Sequence, residues 1–251
     1  MPILTHALVK HLSQLQLKSY RNFEKEFIIE GAKLIEECLS SGWEVTRIIT
    51  SDPNQASFSM PDILTYVCDE AAIKKISTHS TPPSVLASVK IRPTELKQLM
   101  SGQQFILCID GVADPGNLGT IIRTADWFGV KSILLSENSV DLYNEKVVRS
   151  TMGSLFHPRI YQSKDIVSDI ESLKKSGYKI ITTSVNEGKA ELPNDNFCLM
   201  LGSESHGVRH KLEDRADSSY HIPGYGQAES LNLAVSTGII LYDLKEIKKL
   251  I

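Results

Sequence analysis

No apolar run in this chain approaches the roughly 18 residues needed to cross a bilayer, which excludes a helical membrane span. Residues 1–20 lack the continuous apolar stretch and small-residue cleavage site of a signal peptide, because Lys10, His11 and Lys18 interrupt them. The cytoplasm is therefore the expected compartment. Cysteine is scarce: Cys38, Cys68, Cys108 and Cys198 lie far apart and form no C-x-x-C pair. That spacing argues against a disulfide framework or a thiolate zinc site. Cys68, Cys108 and Cys198 sit in apolar strand-like runs and read as small core residues. His79 and His157 offer no ligand spacing, so no metal is expected. Charge of one sign is missing as well. The 27 basic and 30 acidic residues leave a net charge of −3. The first 97 residues hold 11 of each sign and the remainder 16 basic against 19 acidic. Neither part carries the overall electrostatic footprint of a nucleic-acid binder, which leaves only a local patch for that purpose. There is no internal repeat or low-complexity tract.

What remains is ordinary globular composition, 41% hydrophobic and 23% charged over 251 residues. That suits one large domain or two small ones. Helical spacing appears over 6–16, with Leu8, Leu12 and Leu15 on one side, over 31–40 and over 70–76. Strand-like runs occupy 27–29, 45–50, 64–68 and 85–91, with turn chemistry at 52–54 and a polar loop over 77–84. This alternation predicts a small α/β domain over 1–92. Residues 93–104 are polar, contain Pro93 and a short helix over 95–100, and read as a linker.

A second domain is expected over 105–251. It opens with the apolar run 105–109, read as a strand buried on both faces. A loop rich in Asp, Gly and Pro follows, then a helix over 117–129. Leu118, Ile121, Ile122, Ala125 and Phe128 share an arc about 120° wide on that helix, with Thr120, Arg123, Thr124 and Trp127 on the other side. Further strands are expected over 132–135, 179–183, 197–201 and, at an edge, 219–222. Helices are expected over 144–153, 164–177, 209–215 and 231–250. The last is apolar nearly all round as far as Asp243, the pattern of a helix buried on several sides. Strands alternating with helices imply a parallel sheet, whose ligands sit at the carboxyl ends of its strands.

Three loops at expected strand ends combine glycine with polar side chains: 110–117, 201–207 and 223–232. Singly, each has an ordinary reading as a turn. Asn117 or Ser230 serves as a helix cap, Arg123 as a solvated helix arginine, Glu204 as a carboxylate favoured by a helix dipole, and His206 as a surface residue. The conjunction is more specific. Asn117-Leu118-Gly119-Thr120-Ile121-Ile122-Arg123-Thr124-Ala125 comes first. Leu201-Gly202-Ser203-Glu204-Ser205-His206-Gly207-Val208 follows, then Ile222-Pro223 and Ser230-Leu231-Asn232-Leu233-Ala234-Val235-Ser236. In that order they resemble the three signature motifs of the SpoU/TrmH family of RNA ribose 2′-O-methyltransferases, of the SPOUT class. Residues 20–50, with Glu26-Phe27-Ile28-Ile29-Glu30-Gly31, are similar to the L30e-like substrate-binding domain that precedes many members. Ser205 departs from the family, where glycine commonly follows the motif-two glutamate.

The resemblance implies a parallel-sheet SPOUT domain with a trefoil knot, preceded by a small L30e-like α/β domain. It also implies a homodimer, S-adenosylmethionine as cofactor and RNA as substrate, ribosomal RNA ahead of transfer RNA. Gly202, Ile222 and Leu231 would contact the cofactor, with Thr183 as a further candidate. Arg123 aligns with the family's catalytic arginine. A guanidinium titrates above about 12 and is no free base in water, so Arg123 would first bind RNA phosphate and position the ribose. Asn117 would orient Arg123 or the ribose, Glu204 would hold Asn117 or Arg123, and Ser230 and Asn232 would shape the cofactor loop. Two rival readings remain: a Rossmann-type nucleotide-cofactor enzyme, with Glu137 near the place of a ribose-binding acid, and a catalytically inactive RNA-binding protein of the same fold. The spacing of Gly111, Gly116 and Gly119 does not fit the first.

Overall fold

The computed structural model describes residues 1–53, 63–184 and 195–248; Asn54 of the expected turn at 52–54 lies outside them. The chain folds as two compact units. One comprises Met1–Arg92 with Asp141–Phe156, the other Pro93–Val140 with His157–Ile251.

The first unit contains α1 (His6–Gln14), α2 (Lys18–Glu24), β1 (Glu26–Glu30), α3 (Ala32–Ser40), β2 (Val45–Thr50), β3 (Leu64–Val67), α4 (Glu70–Ile76) and β4 (Val85–Lys90). Its sheet runs β1-β4-β2-β3, with β4 antiparallel to both neighbours and β3 parallel to β2. Helix α2 was not expected, because KSYRNFE shows no helical period. Its Arg21 is only 4% exposed. Nη1 donates to the carbonyls of Leu15 (2.8 Å) and Gln16 (2.7 Å), and the guanidinium pairs with Asp141. A buried charge persists only when paired and hydrogen-bonded in this way.

The second unit carries α5 (Leu96–Met100), β5 (Phe105–Ile109), α6 (Pro115–Trp127) and β6 (Ser132–Leu135). After α7 (Glu145–Thr151), which belongs to the first unit, come β7 (Arg159–Gln162), α8 (Ile166–Lys175), β8 (Lys179–Ser184), β9 (Phe197–Leu201), α9 (His210–Glu213), β10 (Ser218–His221) and α10 (Leu233–Lys248). Its six strands are all parallel, in the order β10-β8-β9-β5-β6-β7. Every residue of β5 and β9 is buried, which explains why FILCI and FCLML show no alternation. Cys108 and Cys198 lie in the core of these strands. Strand β7 was not expected: only Ile160 of its four residues is buried, too little pattern to mark an edge strand.

Two expectations need correction. Helix α6 begins at Pro115, two residues before the expected start. Asp114 caps it, accepting the Asn117 N–H at 2.8 Å, and Pro115 loses nothing in the first turn, where its missing N–H has no partner to lose. Helix α10 is not covered on all sides. Leu233, Ala234, Ile240, Leu241 and Leu244 are buried, but Val235, Ile239 and Tyr242 are 53%, 36% and 55% exposed.

Asp217 leads into β10. It accepts the Ile180 N–H at 2.7 Å and the Lys174 ammonium at 3.0 Å. Partial burial disfavours its charge, but the amide and the lysine outweigh it and hold the carboxyl below its ordinary value. A depressed folded value means stability that is present above the unfolded value of about 3.9 and lost as pH falls through the folded one. Asp217→Asn is therefore expected to lower the melting temperature at pH 7, with the two melting curves converging below about pH 3. Melts followed by circular dichroism from pH 2 to 7 check this, and a constant offset at every pH would contradict it.

Candidate functional site at the carboxyl edge of the parallel sheet

Parallel strands point their carboxyl ends to one edge. Register places Ile109 beside Leu201, Thr182 beside Met200, and Ser184 beside His221. The loops leaving β5, β9 and β10 therefore emerge together, although more than 100 residues separate the first from the last.

A side-chain relay joins all three. The Asn117 amide on α6 donates to Glu204 Oε1 at 2.8 Å. Asn232 Nδ2 donates to Asn117 Oδ1 at 3.1 Å. Glu204 Oε2 also lies 3.5 Å from the Ala113 N–H. Asn232 is anchored from the other side, since its Oδ1 accepts the N–H groups of Ala234 (2.9 Å) and Val235 (3.3 Å). Asn232, not Ser230, thus caps α10, while Asn117 sits inside the first turn of α6. An amide is suited to the middle of such a relay because it donates and accepts at once.

Arg123 stands apart. It lies six residues beyond Asn117, about 9 Å along the helix and 240° around it. It is exposed, and among the described residues it makes no hydrogen bond or ion pair. It shares a stripe with Thr120 and Trp127, the latter 86% exposed. Ser230 and Leu231 lie on an exposed loop and Ile222 is half-buried at its start. Thr183 Oγ1 donates to the Met200 carbonyl at 3.2 Å, which ties β8 to β9.

The loop after β9 is closed on itself. Ser203 and Gly207 exchange main-chain hydrogen bonds at 2.9 and 3.1 Å. A Cβ on Gly202 would lie 2.0 Å from the Gly207 carbonyl carbon, so only glycine fits. Beside it is a charged group that sequence pattern did not single out. Asp110, 1% exposed, holds Arg209: Nε is 3.1 Å from Oδ2 and Nη2 is 2.7 Å from Oδ1. Arg209 Nη1 reaches Glu137 Oε1 at 2.8 Å. The available signal was an aspartate directly after a strand with no polar residue. Glu137 is occupied by this arginine, which leaves it no ribose-binding role of the Rossmann kind.

Among the described residues no cluster of three or more His, Cys, Asp or Glu side chains is arranged to hold a metal ion. No described helix is long and apolar enough to cross a membrane.

The chain is similar to several known proteins. Residues 6–87 match the MRM3-like substrate binding domain. The chain is 36% identical over 241 residues to the 23S rRNA (guanosine(2553)-2'-O)-methyltransferase RlmP of Bacillus subtilis, covering 94% of this chain and 95% of that protein. Its fold matches the AdoMet-bound rRNA methyltransferase from Sinorhizobium meliloti with a TM-score of 0.86 at 28% identity, covering 98% of this chain and 97% of that one. It also matches a putative RNA methyltransferase of the TrmH family from Porphyromonas gingivalis, with a TM-score of 0.85 at 30% identity, covering 96% and 98%. Residues 104–242, which contain the whole relay and all three loops, match the SpoU rRNA Methylase family, and the chain belongs to it.

Proposed function

We propose that this protein transfers a methyl group from S-adenosylmethionine to a ribose 2′-hydroxyl of large-subunit ribosomal RNA. The observation that carries the reading is the Glu204–Asn117–Asn232 relay, which locks three strand-end loops of a SpoU sheet into one site. The residues present fit the methyl donor. Residues 223–232 form an exposed loop with open main chain around Gly224 and Gly226, and Leu231 offers apolar surface. Gly202 leaves no side chain where the loop folds back. Gly202, Ile222 and Leu231 would hold the donor, largely through main chain, with Thr183 at the border.

S-adenosylmethionine supplies an electrophilic methyl group; the chain must aim a hydroxyl at it and exclude water. Asn117 and Asn232 fix the floor on which the ribose rests. Glu204 holds Asn117 by a charge-assisted hydrogen bond and does not touch Arg123. Arg123 binds RNA phosphate bidentately and places the 2′-hydroxyl; Ser230 shapes the donor loop.

We read the active form as a homodimer. Helices α6 and α10 pack together and leave two exposed stripes, Thr120/Arg123/Trp127 and Val235/Ile239/Tyr242. Exposed aromatic and aliphatic side chains on neighbouring helices are the composition of an interface core. Arg123 and Trp127 are one turn apart, so Arg123 lies at the subunit seam and serves a site whose donor loops come from the partner. The segment beyond residue 202 is the knotted part implied by the family motifs, and the working compartment is the cytoplasm.

The test is a map of 2′-O-methylated nucleotides, by resistance to alkaline cleavage, in cells with and without the gene, together with transfer of labelled methyl to purified RNA. Loss at one large-subunit position is expected. A purified protein that binds RNA but transfers no label would favour an inactive RNA-binding protein.

A further inference from the structure

Asp110 touches both stems of the loop at residues 202–207. At the leading stem its main-chain N–H donates to the Leu201 carbonyl at 2.8 Å. At the trailing stem its carboxylate accepts the Arg209 N–H at 3.3 Å and Nε at 3.1 Å, and pairs with Nη2 at 2.7 Å. Asp110 Oδ1 and Arg209 Nη2 are out of contact with solvent and face each other. From Arg209 the contacts continue outward. Nη1 binds Glu137 Oε1 at 2.8 Å, and Glu137 Oε2 accepts the Ile166 N–H at 3.3 Å, at the start of α8. One guanidinium thus connects the end of β5, the segment after β6, the first turn of α8 and the trailing stem of the loop.

We propose that Arg209 is a positioning residue for the methyl-donor loop. Its fork, set between Asp110 and Glu137, fixes the separation of the two stems and thereby the main chain at Gly202 and the reach of Glu204 to Asn117. This rests on the reading of that loop as the donor site. The geometry favours positioning over simple charge neutralisation. A counter-charge for Asp110 needs one cation at one point, whereas this arginine spends its main-chain N–H and three side-chain nitrogens on two carboxylates that belong to different strand ends. Only the planar fork does this; a lysine supplies a single point charge. The same contacts hold the Glu137 carboxyl below its ordinary value despite its partial burial. The short span from Leu201 to Arg209 passes any shift of the trailing stem directly to Gly202 and Glu204.

The test uses Arg209→Lys, which keeps a cation for Asp110, in the full-length protein. Donor affinity is measured per folded molecule by calorimetry with S-adenosylmethionine, beside KM for RNA and the single-turnover rate at saturating donor. The expected result is S-adenosylmethionine affinity weakened about tenfold, with KM for RNA within twofold. A structural role alone would lower the folded fraction and leave affinity per folded molecule unchanged, and affinity within twofold of the parent overturns the proposal. Should Arg209→Lys fail to fold, Glu137→Gln decides. It removes the charge and one accepting oxygen of the outer, partly exposed contact, and is expected to weaken donor binding about threefold, with no change counting against the proposal. Gly202→Ala separates the two readings. Lost donor binding there, with Arg209→Lys unaffected, rejects the clamp and keeps the site. Retained donor binding in Gly202→Ala rejects the site itself.

Discussion

Arg123→Ala is expected to slow methyl transfer by about 10²–10³-fold, the usual cost of removing one group that positions or stabilises a reacting centre, while affinity for S-adenosylmethionine stays within about threefold. Arg123 is exposed and, among the described residues, makes no hydrogen bond or ion pair, so its removal has little to take from the fold. It also lies well away from the loops assigned to the donor, because six residues of helix carry it about 9 Å from Asn117 and to another face. The loss should therefore fall on the RNA-dependent step. Arg123→Lys should recover little, since bidentate phosphate recognition needs the planar fork. The dimer reading adds a sharper form. Mixing Arg123→Ala subunits with Gly202→Ala subunits should restore part of the activity, because one mixed site keeps both intact halves. Near-normal turnover of Arg123→Ala would remove it from the mechanism, and absence of restoration in the mixture would place Arg123 and the donor loops in the same subunit.

Gly202→Ala should abolish measurable donor binding, a loss of about 100-fold or more. The added Cβ would stand 2.0 Å from the Gly207 carbonyl carbon, 2.1 Å from the Val208 nitrogen and 2.4 Å from the Gly207 oxygen. All three are main-chain atoms, so no side-chain rotation relieves the clash, and the Ser203–Gly207 hydrogen bonds must break. The displaced main chain can no longer hold the donor in the way the reading requires, and the hundredfold loss corresponds to about 2.7 kcal/mol of binding free energy. Gly207→Ala is the informative partner. That position has φ +66° but nothing within 4 Å of the new Cβ, so it pays a backbone cost of about 1–2 kcal/mol with no collision. Calorimetric affinities should rank parent, Gly207→Ala, Gly202→Ala. Equal losses at the two positions would mean that loop stiffness matters and the close approach does not.

Much of this was legible in the residues. The run 105–109 announced a strand covered on both faces and 197–201 a strand, and parallel topology then brought their loops to one edge. The order of Asn117, Glu204 and Asn232 along the chain carried the family resemblance. What local pattern could not show was how these three meet. The relay runs Glu204–Asn117–Asn232; Arg123 was already on the face away from the buried stripe, and only the long-range contacts of Asn117 with residues 87 and 115 positions later show that the relay leaves it aside. Strand β7 and helix α2 escaped notice for a common reason: each buries too little apolar surface to leave a period, and each depends on partners distant in sequence. The pairing of Asp110 with Arg209, 99 residues later, lies beyond any window of local reading.

The division of the chain into units bears on how it is synthesised. The first unit takes its final piece from Asp141–Phe156, long after its apparent end at Arg92. Among the described residues, Asp141 alone balances the buried charge of Arg21 through the pair described above. At about 5–20 residues per second, the ribosome adds these sixty-odd residues in roughly 3–13 s. Until Asp141 is added, 49 residues or roughly 2–10 s after Arg92, the emerging first unit carries an uncompensated arginine, while β5, α6 and β6 of the second are already outside or about to emerge. The first unit is therefore not complete before the second is well begun, and the nascent chain passes through a stage in which the first unit waits on residues made after the start of the second.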